Sequence, residues 1–167
     1  MAELLSHVLF AYALFTVASW RLEWLSKRWV PVAVVGAILP DLNRIGLLLG
    51  EPTIEAALGV PFSFDAIHTF GGVLVLSGIG AIAFDRRRLL AYGILVAGAL
   101  SHLLVDALKL YADGSAAAWL YPVTWYRHPS PNLYVSSDSG VLAVAGVLAL
   151  SVWLIDRYRV DTTKQSP

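Results

Sequence analysis

Five apolar runs, each near the length needed to cross a bilayer, constrain this chain more than any other feature. They are Leu4–Trp20, Trp29–Gly50, Ile67–Phe84, Leu89–Leu108 and Gly140–Ile155. A crossing helix needs roughly 20 mostly apolar residues. Composition agrees: 57% of the residues are hydrophobic and 14% charged, against roughly 45–50% and 25% in an average soluble domain. The chain therefore reads as all-α, an integral membrane helical bundle with about five spans. The second span is broken at Pro40, and the third and fourth are joined by only Asp85-Arg86-Arg87-Arg88. The first run has a signal peptide's look, but no Lys or Arg precedes it and no small-residue cleavage site follows, so it reads as retained. Residues 1–160 form a single transmembrane domain in this reading, and 161–167 a polar C-terminal tail.

Loop charges set an orientation, because cytoplasmic loops carry an excess of Lys and Arg. Arg21, Lys27, Arg28, Arg86, Arg87, Arg88, Arg157, Arg159 and Lys164 all fall on one side if five spans alternate. Arg44, Lys109 and Arg127 are left for the other. The expectation is an inner-membrane protein with its N-terminus outside and its C-terminus cytoplasmic. The outer loops, Glu51–Ala66 and Lys109–Ser139, are the long ones. Within the second, segment 116–126 carries Trp119, Tyr121, Trp125 and Tyr126 and suits a stretch lying at headgroup level. The net charge of +0 gives no footprint for nucleic acid. Cysteine is absent, which excludes thiolate metal sites and cysteine nucleophiles.

Ionisable groups inside spans are costly and need a reason. The spans hold His7, Asp41, Arg44, His68, His102 and Asp106, together with Asn43. His7 lies one turn from the outer start of the first span, and His68 opens the third at its outer end. Counted from Leu89, His102 and Asp106 lie ~20 and ~26 Å up a ~30 Å core. Asp41 lies ~18 Å along the second span. All five His and Asp residues thus share the outer half. Three imidazoles and two carboxylates suit a divalent metal, most simply zinc, with manganese or magnesium as alternatives. His102 and Asp106 are spaced i, i+4 and share one helical face. Asp41 follows Pro40, which opens the backbone where a ligand can be aimed inward.

Each residue also has a plainer reading. His7 and His68 could be interfacial hydrogen-bonding residues, Asp41 the cap of a broken helix, and His102 and Asp106 an intrahelical hydrogen-bonded pair. His128, in Arg127-His128-Pro129, reads as a polar loop residue with a weaker alternative as a substrate contact. The aromatic segment reads as a membrane belt before a substrate platform. Gly71, Gly72, Gly78 and Gly80 read as close helix packing, and Asp138-Ser139 as a helix cap.

The order of these motifs resembles the YdjM-like family of membrane-bound metal-dependent hydrolases. The residues that carry the likeness are the early His7, GAILPDLN at 36–43, IHTFGG at 67–72, SHLLVDAL at 101–108 and LYP at 120–122. The resemblance implies an inner-membrane hydrolase with metal held by His7, Asp41, His68, His102 and Asp106. This chain departs from it twice. Asn43 stands where the family usually has a second aspartate, and His68 is the single histidine of a box that often carries two. More distantly, the ligand order is similar to that of zinc-dependent phospholipase C and single-strand zinc nucleases.

The expected function is a metal-dependent hydrolase acting on phosphate esters at the membrane surface, lipid phosphodiesters among them. A metal-bound water would attack, aided by Asp41 or His7, and Arg44 would hold a phosphate oxygen. Membrane lipids are the expected surroundings. The alternatives are a non-catalytic membrane adaptor with a structural metal, and an ion or proton transport protein.

Overall fold

The computed structural model describes residues 2–135 and 138–165, with side chains over 4–135 and 138–159. The expectation placed on Lys164 lies outside the described side chains. Among the described residues the chain is helical, with isolated bridges in place of strands. Its helices are α1 (Ala2–Ser19), α2 (Val30–Ile38), α3 (Glu51–Leu58), α4 (Phe70–Ile82), α5 (Arg88–Asp106) and α6 (Ser139–Gln165). Lys27–Trp29, Leu39–Leu47 and Phe64–His68 are 3-10 helices.

Three stretches are long and apolar enough to cross a membrane: Lys27–Leu47, Arg88–Asp106 and Ser139–Arg159. Leu4–Ser19 and Phe70–Ile82 are shorter apolar helices. All five expected spans therefore appear as apolar helices, three of them at full crossing length. The second changes character where Pro40 predicts it, passing from α to 3-10 at Leu39. The third starts later than its apolar run: Thr69 caps α4 by accepting from Gly72 N–H, so His68 sits in the preceding 3-10 turn. Asp138 Oδ1 accepts the Gly140 N–H at 2.7 Å, the expected cap of α6.

The loop Glu51–Ala66 differs from expectation, because α3 forms within it. Its Glu55 carboxylate accepts the Phe62 N–H at 3.0 Å, and Glu51 accepts the Phe64 N–H at 2.8 Å and the Ser63 hydroxyl at 2.9 Å. A glycine at Gly59 with φ 69° ends the helix. These long-range carboxylate bonds leave no periodic signature in so short a segment.

The bundle is tightest where α2 crosses α5. A Cβ on Gly98 would lie 2.0 Å from the Ala33 carbonyl oxygen, and one on Gly36 2.3 Å from that of Leu95. Only glycine permits this approach. Gly71 and Gly72, by contrast, lie against the Tyr121-Pro122 and Ala66-Ile67 segments, so they pack loops onto α4 and do not join helices. Ala11, Phe15, Leu25, Trp29, Ala33 and Ile94 fill the core at the end of the bundle holding the Lys27 turn.

The two ends differ in charge. At one, Lys27 pairs with Asp156 at 2.6 Å, Trp20 Nε1 donates to Asp156 at 2.7 Å, and Arg159 lies 5.2 Å over the Trp20 ring. Arg28, Arg86 and Arg87 share a cleft there. The other end receives the start of α1, the end of α2 with its 3-10 extension, the start of α4 and the end of α5, and segment 107–135 folds over it. Tyr134 Oη and Tyr111 Oη donate to the Val105 and Asp106 carbonyls at 2.9 and 3.0 Å. These carbonyls also accept the Leu108 and Lys109 N–H groups, so the tyrosines fasten the covering segment to the last turn of α5.

Candidate metal centre

At this second end, side chains from four elements meet around the Asp106 carboxylate. His7 comes from α1, His68 from the 3-10 turn before α4, and His102 and Asp106 from α5. His7, His102 and Asp106 are 3%, 1% and 3% exposed. Asp106 Oδ2 lies 2.9 Å from His68 Nε2 and 3.4 Å from His102 Nε2, and Oδ1 lies 3.2 Å from His7 Nε2. The His7 and His102 rings stack at 3.8 Å, and His68 meets His102 edge-on at 5.1 Å. Asp41, from the 3-10 extension of α2, completes the group.

Local sequence explains the placement. Pro40 has no N–H to offer the Ala37 carbonyl three residues back, as a 3-10 helix would require. His102 Nδ1 occupies that carbonyl at 2.8 Å. His68 Nδ1 lies 3.3 Å from the carbonyl of Pro40 itself. One proline therefore helps orient two imidazoles from other parts of the chain.

That orientation has a chemical consequence. The His68 and His102 rings each lie between a carbonyl oxygen at Nδ1 and a carboxylate oxygen at Nε2. A neutral imidazole carries one proton, so a lone pair on one nitrogen would face a lone pair on oxygen. His102 Nε2 and Asp106 Oδ1 are buried and make no hydrogen bond despite their close neighbours, as do His7 Nδ1 and Asp41 Oδ2. A buried polar atom without a partner is destabilising by ~1–3 kcal/mol. A cation among these atoms removes the conflict, because imidazole nitrogens fixed through their other N–H and carboxylate oxygens are the donors it takes.

The donors form two overlapping triads, His7–His102–Asp106 and Asp41–His68–His102, whose ligand atoms lie within 4.8 Å of one another in each. Nitrogen and oxygen donors without sulfur fit zinc, manganese or magnesium. All five expected ligands are thus brought together.

Asp41, His68 and Asp106 of the cluster line a cavity of about 670 Å³ together with Asn43, Arg44 and Lys109, among others, while His7 and His102 lie behind them. Arg44 Nε donates to Asp41 Oδ1 at 3.0 Å. Lys109 Nζ lies 3.3 Å from Asp106 Oδ2, a role that its sequence position in a loop did not disclose. Its i, i+3 spacing from Asp106 is the signal that could have found it. Arg127 also lines the cavity, so all three basic residues outside the opposite cluster gather here. From the aromatic segment, Tyr121 and Trp125 contribute to the wall, with rings 4.4 Å apart. His128 stands elsewhere. Its ring meets Trp119 at 6.2 Å and Tyr126 at 4.8 Å, and it is not among the lining residues.

Beyond the cluster, Arg127 Nη1 pairs with Asp113 at 2.7 Å, and its Nη2 and Nε donate to the Ser115 and Ala116 carbonyls. The guanidinium beside Asp113, with the Ser115 N–H, holds that carboxyl below the usual carboxylate range.

Fold and site together define a helical membrane protein with a buried histidine–aspartate centre under an open cavity. The chain belongs to the YdjM inner membrane protein family, whose model matches residues 1–162. Comparison with curated proteins and with solved structures found no match.

Proposed function

We propose that this protein is a membrane-bound metal-dependent hydrolase of amphiphilic phosphate esters. The observation that carries the reading is the cluster of unsatisfied His and Asp donors that reaches, through Asp41, His68 and Asp106, a cavity also lined by Arg44, Lys109 and Arg127. A divalent ion bound there supplies Lewis acidity and makes water a nucleophile near neutral pH.

The chain's own residues have separable tasks. Ala37 and Pro40 carbonyls hold the His102 and His68 rings, so that Nε2 of each faces the cluster. Arg44 holds Asp41 by Oδ1, and the unpartnered carboxylate oxygen Oδ2 would accept a proton from a water held beside His68 and His102. His7 backs the cluster from beneath, stacked on His102. The Arg44 and Lys109 cations offset charge on phosphate oxygens entering the cavity.

Two other readings fit less well. A proton or ion pathway calls for ionisable groups through the depth of the bundle, yet the buried ionisable residues among the described ones are His7, His102 and Asp106, all at one end. A structural metal calls for a closed shell, whereas Asp41, His68 and Asp106 border an open cavity. The basic cluster at the opposite end favours a cytoplasmic C-terminus with the cavity on the outer side.

The test is hydrolysis of a panel of phosphate mono- and diesters by purified protein in lipid nanodiscs, with and without added zinc or manganese. Metal-dependent turnover abolished by Asp41→Asn supports the reading. Absence of turnover across the panel with the metal site filled contradicts it.

A further inference from the structure

The segment Leu47–Pro61 joins two walls of the cavity. Before it run Asp41, Asn43 and Arg44, and after it Ser63, Asp65 and His68, all of which line the cavity. Yet the segment itself is built apolar side outward. Leu47 and Leu48 are 86% and 87% exposed, and Leu58 and Val60 are 59% and 55% exposed. Its two acidic residues, Glu51 and Glu55, are committed to the backbone and hydroxyl groups of Phe62, Ser63 and Phe64. From Ala56 to Pro61 every residue is exposed and none is charged. Four large apolar side chains displayed in water would each forgo the stabilisation of burial.

The exposed face has a neighbour of known chemistry. Leu47 is the last residue of the apolar stretch Lys27–Leu47, so the hairpin continues the lipid-facing surface of a span without interruption. Across the cavity mouth, Val123 and Trp125 are 75% and 76% exposed, and Trp125 lines the cavity. Exposed apolar side chains therefore flank a cavity that Arg44 and Lys109 also line, the pairing of apolar and basic groups that suits the lipid headgroup layer.

We infer that Leu47–Pro61 is a membrane-seated hairpin whose apolar face rests in the bilayer and sets the cavity mouth within the lipid headgroup layer. Its occupant is the bilayer itself, and molecules reach the cavity sideways out of that layer. This goes beyond the hydrolase reading and does not depend on it, since seating is a matter of depth and not of turnover.

The absence of cysteine from the chain makes the test direct. Leu48→Cys and Leu58→Cys are each labelled with a nitroxide in liposomes and probed for collision with oxygen and with a water-soluble nickel chelate. Val147→Cys on the exposed face of α6 serves as the lipid reference, and Asp85→Cys in the turn between α4 and α5 as the aqueous one. Both native leucines are largely exposed, so neither replacement disturbs packing. The expected result is a ratio of oxygen to nickel accessibility at 48 and 58 several-fold above that at 85 and approaching that at 147. Values at both positions equal to those at 85 overturn the inference.

Discussion

The imidazoles of His7 and His102 lie face to face, 3.8 Å apart and 19° from parallel, although one belongs to the first helix and the other to the fifth. Two positive rings at that distance would repel by ~4 kcal/mol even at an effective dielectric of 20. Neutral imidazole is the form in which histidine ligates metal, and it avoids that repulsion. The carboxylates of Asp106 and Asp41 supply the negative charge that a divalent cation held among these nitrogens would need. The same stack ties the first helix to the site, so the fold cannot loosen there without disturbing the centre.

Asn43 invites a gain-of-function test. It lines the cavity one residue before Arg44, at the position where the YdjM-like pattern usually places a carboxylate. Asn43→Asp adds an anionic oxygen beside the cluster, and metal affinity rises with ligand charge. Competition with a fluorescent chelator is expected to show divalent binding at least ~3-fold tighter. Unchanged affinity would mean that position 43 lies outside the reach of the ion.

Gly98 links helix packing to metal binding. A Cβ there would strike the Ala33 carbonyl at 2.0 Å and approach the Ala37 nitrogen at 3.1 Å. Gly98→Ala is expected to cost ~1–3 kcal/mol of stability through overpacking. Because Ala37 also holds His102, metal affinity should fall with it. Denaturant unfolding in detergent checks the first effect and metal competition the second. A variant that unfolds earlier yet binds metal normally would separate the crossing from the site.

Acid should loosen the loop that covers the cavity. The Asp113 carboxyl is held below its ordinary range, chiefly by Arg127. A depressed carboxylate contributes stability that is fully present above its unfolded value and is lost as pH falls through the folded one. Hydrogen exchange across 113–130 is therefore expected to accelerate only below the ordinary carboxylate range. Arg127→Ala should bring Asp113 back toward that range and shift the onset to higher pH. Identical onsets in both proteins would show that this pair does not hold the loop.

Much of this architecture is legible in the amino-acid sequence. Hydropathy alone locates five apolar helices, because exclusion from water acts on each run separately. The Pro40 break and the five His and Asp residues that cluster were readable for a related reason: a charge or a proline within an apolar run is costly and conspicuous. What escaped the sequence depends on contacts between distant segments. Helix α3 rests on Glu51 and Glu55 reaching Phe62 to Phe64, and no periodicity announces such bonds. Gly36 and Gly98 are ordinary glycines until α2 and α5 are laid across one another. Lys109 and Trp125 look like loop residues because segment 107–135 is folded by tertiary bonds, such as that from Tyr134 to Val105.

Whether His102 and Asp106 help hold a divalent ion is decided by elemental analysis of protein purified in detergent without chelator. The expected result is about one or two ions of zinc, manganese or magnesium per chain, and near-complete loss in a His102→Ala, Asp106→Ala double variant that still folds by circular dichroism. Chelation should also lower the melting temperature of the native protein and leave that of the variant unchanged. Native protein free of metal after incubation with each ion, and melting at the same temperature with and without chelator, would contradict it.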